Sequence, residues 1–142
     1  MVTVDRVIEL AEHYQKVFNL QSWMIHCYIA KLAEMPVDGA WGNIVVEHEY
    51  MRARITVAEE TPDEHLEHVV CHEIAHILVA MLHDNALYLV DEIDNKKRRK
   101  RERQILNDDS ERATEMIARA IRRLENETAS GLQFAGCHSI GG

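Results

Sequence analysis

Apolar residues recur at helical spacing over residues 4–19, where Val4, Val7, Ile8, Leu10, Ala11, Tyr14, Val17 and Phe18 are separated by polar positions. This pattern predicts an amphipathic helix ending near Asn19. Over 23–32 the rhythm changes: WMIHCYIAKL is short, aromatic and β-branched, bounded by Gln21-Ser22 and by Met35-Pro36-Val37-Asp38-Gly39. That predicts a strand followed by a turn. Residues 41–57 predict two further strands turning near 47–50. Within them Ala53, Ile55 and Val57 alternate with Arg52, Arg54 and Thr56, the period of a sheet with one wet face.

Thr61-Pro62-Asp63-Glu64 then reads as a helix start, with Thr61 as N-cap, Pro62 in the first helical position and Glu64 closing a capping box. The helix is expected over about 62–83. Residues 84–107 are polar and charged and include KKRRKRER at 96–103. A last helix is expected over 109–127, carrying Ala113, Met116, Ile117, Ala120, Ile121 and Leu124. The order predicts one α+β domain over 1–128: an N-terminal helix, a small three-stranded sheet with a hairpin, a long apolar helix and a C-terminal helix. The small-residue-rich end, 129–142, is expected to be a loosely ordered tail.

Length changes this picture little, since 142 residues suit a single domain with its own core. No apolar stretch approaches the ~20 residues of a bilayer span, and the N-terminus lacks a basic n-region. Three scattered cysteines, Cys27, Cys71 and Cys137, argue against a disulfide framework and for a reducing cytoplasm. A net charge of −8 argues against a general nucleic-acid binder, although the basic run at 96–103 leaves that open. The nine histidines matter more, because four of them fall between positions 65 and 76.

On a helical wheel at about 100° per residue, Leu66, Val70, Ile74, Ile77, Leu78, Met81 and Leu82 cover one broad side. His65, His68, His72, His76 and His83 gather opposite, with Glu73 beside them. Residues four apart stack one turn above another, so His72 and His76 can aim two imidazoles at one point. Zinc suits two neutral imidazole nitrogens at ~2.0–2.1 Å with a position left for water. Glu73 lies off the ligand axis but beside it, where a carboxylate can take a proton from a water whose pKa the metal has lowered toward ~7. The HExxH spacing thus gives each position a reason. Pairing His68 with His72 instead would leave Glu73 outside the pair.

A catalytic site of this type needs a third protein ligand. Glu111 and Glu115 lie four apart on the last helix, with Thr114 and Ala118 on the same side as small residues that let it approach the histidine helix. Glu111 is the first candidate and Glu115 its competitor; Asp108 and Asp109 are outsiders.

HEIAH at 72–76, preceded by a helix and three strands and followed by ERATEMIA at 111–118, resembles a minimal gluzincin. It is similar to the small metallopeptidase-like proteins of phages and mobile elements and to ImmA/IrrE-type peptidases. The downstream element of that group reads roughly E-x-x-A-x-x-F-A, which Glu111, Thr114, Ile117 and Ala118 match in outline. GAWG at 39–42, followed by RARITV, resembles the strand hairpin before the zinc helix. The resemblance implies a zincin-like fold and zinc-dependent metalloendopeptidase activity on a peptide or protein substrate. Zn2+ would be held by His72, His76 and Glu111, with Glu73 as general base. It also implies that substrate pairs with a sheet edge, for which GAWGNIVV is the candidate.

Around the site, Tyr50, Tyr88 and His83 are candidate oxyanion donors, Trp41 is either a pocket wall or a lid on the core, and Gly39 and Gly42 serve either turn geometry or the close approach of another backbone. The competing reading is a catalytically silent, metal-stabilised regulatory or binding module of phage or mobile-element type. Glu73 favours the enzyme, since a purely structural site has no use for that carboxylate.

Overall fold

The structure, a computed structural model, describes residues 1–129. Among the described residues the chain is α+β, with three α-helices and one small mixed sheet. Helix α1 spans Val4–Val17; Thr3 Oγ1 accepts from Arg6 N at 3.3 Å to cap it, and Val7, Leu10, Ala11 and Tyr14 face the core. Strands β1 (Met24–Ala30), β2 (Gly42–Glu47) and β3 (Arg52–Ala58) follow, close to the positions the alternation predicts. A short turn, His48–Tyr50, with Met51 in the left-handed region at φ 51°, joins β2 to β3.

Sheet order is β1-β3-β2, so the last strand inserts between the first two. β3 runs parallel to β1, with Cys27 opposite Ile55, and antiparallel to β2, with Ile44 opposite Ile55. The period-two pattern of β3 then does what it must: Ala53, Ile55 and Val57 are buried while Arg52 and Arg54 face water. β2 is left as an edge strand.

Helix α2 spans Asp63–Asp91, packing on the sheet and α1 through Leu66, Val70, Cys71, Ile74 and Ile77. Its start differs from the expected capping box. Thr61 turns its hydroxyl back to donate to Ala58 O at 2.7 Å, and no side chain caps the helix; the Pro62 carbonyl begins the ladder by accepting from His65 N and Leu66 N. Thr61 is buried against the end of β3, where closing the strand-to-helix turn uses up its one donor.

The larger difference is at 84–107, which is helical nearly throughout. α2 continues two turns past residue 83, and α3 (Lys96–Ala129) begins thirteen residues before 109. Polarity there is not loop character: the stretch contains no Gly or Pro and is built of good helix formers. Asn95 Oδ1 accepts from Arg98 N at 2.9 Å as an N-cap, Arg99 donates to Ile93 O, and Arg103 pairs with Asp91 across the hairpin. Ala129 belongs to α3, and residues 130–142 of the expected tail lie outside the described residues.

By length and mean hydropathy alone α2 is long and apolar enough to cross a bilayer, contrary to the sequence expectation. Its N-terminal half nevertheless lies against the sheet and α1, with α3 running back antiparallel along its other side. Thr114 and Ala118, the two buried residues of α3, make that approach close, as their size predicts.

Candidate metal centre

The antiparallel pairing of α2 and α3 places an acid ladder of α3 against the histidine ladder of α2. Glu111 sits over His72 and His76: its carboxylate oxygens lie 3.3 Å from His72 Nε2 and 3.0 Å from His76 Nε2. Glu115, one turn on, lies over His68 and His72, with Oε1 3.0 Å from His68 Nε2 and Oε2 2.6 Å from His72 Nδ1. The donor atoms of His72, His76 and Glu111 are within 4.8 Å of one another, as are those of His68, His72 and Glu115, so each trio is within ion-binding reach.

The hydrogen bonds distinguish the two sets. Glu115 as a carboxylate can only accept, so Nδ1 of His72 carries the proton and Nε2 carries the lone pair. Thr114 spends its hydroxyl proton on Ser110 O at 2.8 Å, so at 3.3 Å it accepts from Nδ1–H of His76, whose Nε2 is then also a lone pair. Two lone pairs and the Glu111 carboxylate therefore face one point with no hydrogen between them, an arrangement that a cation there satisfies. In the second set His72 would have to surrender the proton it gives Glu115, and Arg119 already donates to Glu115 Oε1 at 2.8 Å. Burial lowers the His76 pKa, which keeps its ring in the neutral form a metal requires. For Glu115 burial works the other way, but hydrogen bonds from Arg119, His72 and His68 outweigh it and hold the carboxyl below the usual range.

Glu73 points to the other side of His72, toward β2. It is 7% exposed, and no hydrogen bond from the described residues holds it. Burial raises its pKa to about 7, with His72 beside it partly opposing this and Glu111 adding to it. A carboxyl tuned there can both accept and return a proton near neutral pH. Gly42 makes room for it: a Cβ at that position would lie 2.7 Å from Glu73 Oε1 and 2.8 Å from Val69 Cγ1. Gly39, with φ +71° and open space around it, serves the turn instead; what closely approaches Gly42 is the Glu73 and Val69 side chains of α2.

Between β2 and the α2–α3 pair lies a cleft of about 610 Å³ whose walls include His72, Glu73, His76 and Glu111. Trp41 lines one end, stacked on His65 at 5.1 Å between ring centroids, and His83 lines the other, bonded through Nε2 to Asn107 Oδ1 at 2.9 Å. Of the three expected oxyanion donors only His83 borders the cleft. Tyr50 stacks under Arg52 and Tyr88 is exposed on the far part of α2. Asp108 bonds Gln104 and Asp109 faces Arg112, both away from the trio. Sequence reasoning missed the Thr114 hydroxyl as a partner for His76, though a Thr one turn from Glu111 was the available signal.

Compared with known proteins, the chain matches no protein-family model, no curated protein and no solved structure.

Proposed function

We propose that this chain is a zinc-dependent metallopeptidase of zincin-like design, in which His72, His76 and Glu111 hold the metal and Glu73 is the general base. The observation that carries the reading is the convergence of two Nε2 lone pairs and one carboxylate on a point beside Glu73 in an open cleft. Zinc is preferred over harder cations because two of the three donors are imidazoles. When bound, it supplies Lewis acidity to a carbonyl and acidifies a water.

The chain's own residues do the rest. β2 presents an unpaired strand edge along the cleft, which suits an extended peptide bound through its main chain. Glu73, desolvated against Gly42, accepts the proton of the attacking water and returns it to the leaving amine. Glu115 and Thr114 fix the two ring tautomers.

The test is metal analysis and peptide hydrolysis by the pure protein beside Glu73→Gln and Glu111→Ala. Glu73→Gln retains zinc and loses hydrolysis, while Glu111→Ala loses zinc. A wild-type protein that binds zinc stoichiometrically yet cleaves no peptide in a broad library supports the silent binding module instead.

A further inference from the structure

Among the described residues the cleft has no lysine or arginine on its walls, yet the helix that forms one of those walls carries seven of them at 96–103. α3 runs without a break from Lys96 past Glu111. At 100° per residue, positions 96, 100, 107 and 111 fall within about 60° of one another, so they share one side of the helix. Asn107 and Glu111 of that side line the cleft, and Asn107 meets His83 at its end. Lys100 and Lys96 therefore prolong the same wall beyond the His83 end.

The fold makes no use of these two cations. Lys96 and Lys100 stand one turn apart, where like charges oppose each other. Both are exposed and have no ion pair among the described residues. Their neighbours differ: Arg99 donates to Ile93 O and Arg103 pairs with Asp91, which closes the hairpin, and Arg101 faces Glu102. The carboxylate at that end of the cleft, Asp84, is already engaged, with its oxygens 3.3 Å from His48 Nε2 and 3.5 Å from His83 Nδ1. The two lysines are left for an anion that comes from outside the chain.

Resting on the metallopeptidase reading above, we propose that the cleft takes acidic polypeptide, with Lys96 and Lys100 holding carboxylates about five to seven residues from the cleaved bond, beyond the His83 end. Lys100 and Lys96 lie ~16 and ~22 Å along the helix axis from Glu111 at 1.5 Å per residue. An extended chain covers those lengths in about five to seven residues at ~3.3 Å each. The unpaired edge of β2 along the cleft suits a chain held in that extended form. A nucleic-acid backbone fits less well. The chain outside 96–103 is strongly acidic and repels a polyanion laid across it, whereas a peptide brings only a few acids to the two lysines.

Three peptide libraries test this on the zinc-loaded full chain. They share a randomised centre and carry a tetraglutamate flank on the amino side, the same flank on the carboxyl side, or tetraglutamine on both. One of the acidic libraries should be cleaved about three- to tenfold faster than the neutral one at low ionic strength, with the ratio shrinking as salt is raised. Lys96→Ala/Lys100→Ala should bring that ratio close to unity with far-UV dichroism and zinc content unchanged. Arg98→Ala, half a turn round the helix, should keep it. Equal cleavage of all three libraries by the wild type, or a ratio that survives the loss of both lysines, would overturn the acidic substrate and leave the peptidase standing. Cleavage of none would count against the peptidase itself, and fluorescence anisotropy of labelled tetraglutamate- and tetraglutamine-flanked peptides on the same chain then decides. Tighter binding of the acidic peptides that is lost with the two lysines keeps the acidic ligand, while equal binding or none removes it. Duplex DNA bound through Lys96 and Lys100, with no preference among the peptides, would overturn it as well.

Discussion

His72 is gripped by α3 at both of its ring nitrogens: Nδ1 lies 2.6 Å from Glu115 Oε2 and Nε2 lies 3.3 Å from Glu111 Oε2. The first contact sets the tautomer and orientation, so that the second nitrogen turns its lone pair toward the Glu111 carboxylate. Removing such a partner usually lowers affinity without abolishing the site, by roughly 10–100-fold. Glu115→Ala should therefore weaken zinc binding by about that factor in a chelator competition, and Glu111→Ala should weaken it far more. The reverse order would move the third ligand to Glu115 and the ion to the trio with His68.

Gly42 should tolerate no side chain. In Gly42→Ala the new methyl meets Glu73 Oε1 and Val69 Cγ1 at distances real Cβ atoms do not show, so either the carboxylate or β2 has to shift. A loss of about 1–3 kcal/mol in stability is expected from overpacking, together with a fall in hydrolysis and an unchanged zinc content. Thermal unfolding and metal analysis read both. Normal activity in Gly42→Ala would mean that the position of Glu73 against the strand is not the working one.

A second polar network lies at the other end of the helix layer. Arg122 Nη1 is 2.7 Å from Glu67 Oε1 and donates to Tyr14 Oη at 3.2 Å, and Tyr14 in turn donates to Glu67. These bonds tie α1, α2 and α3 together beneath the site. Arg122→Ala leaves a part-buried carboxylate and a buried phenol short of partners, a change expected to cost about 1–3 kcal/mol. Denaturant unfolding should show it, with zinc affinity nearly unchanged because the network does not touch the trio.

The described thiols should be inert at ordinary pH. Burial pushes Cys27 up to about 11, with Glu12 adding to it, and burial pushes Cys71 up to about 12. An acid whose folded pKa is raised stays neutral through the neutral range, so alkylation of both sites at pH 8 should be much slower than in the unfolded chain, where thiols titrate near ~8.5. The linkage has the matching sign: above that unfolded value the unfolded state releases protons that the fold retains, so stability falls as pH rises further. Site-resolved mass spectrometry after timed alkylation measures the first effect and unfolding at alkaline pH the second. Rapid labelling of Cys71 in the native protein would contradict its burial.

Several parts of this protein were readable from local pattern. The three-and-four rhythm of Val7, Leu10, Ala11 and Tyr14 defines α1, and the alternation in RITV defines the inner face of β3, because side-chain direction follows backbone geometry over a few residues. The pairing of His72 with His76 was legible for the same reason, since one turn of helix is a local fact. Residues 84–107 were misjudged where polarity was taken for loop; without Gly or Pro, a polar segment made of Arg, Lys, Glu and Leu extends a helix as readily as it leaves one. Thr61 failed as a cap because the end of β3 claimed its hydroxyl.

The sequence by itself determined the order of helices and strands, the wet and dry faces of α1 and β3, and a histidine pair with a carboxylate one residue round the helix. It could not choose between Glu111 and Glu115, which share a face one turn apart and have the same reach. Which histidines each acid faces belongs to the register of α3 on α2, set by Thr114 and Ala118 settling against the histidine helix. A slide of one turn would exchange the two acids. Such a register is a sum of contacts between residues about forty positions apart, and no local pattern contains it.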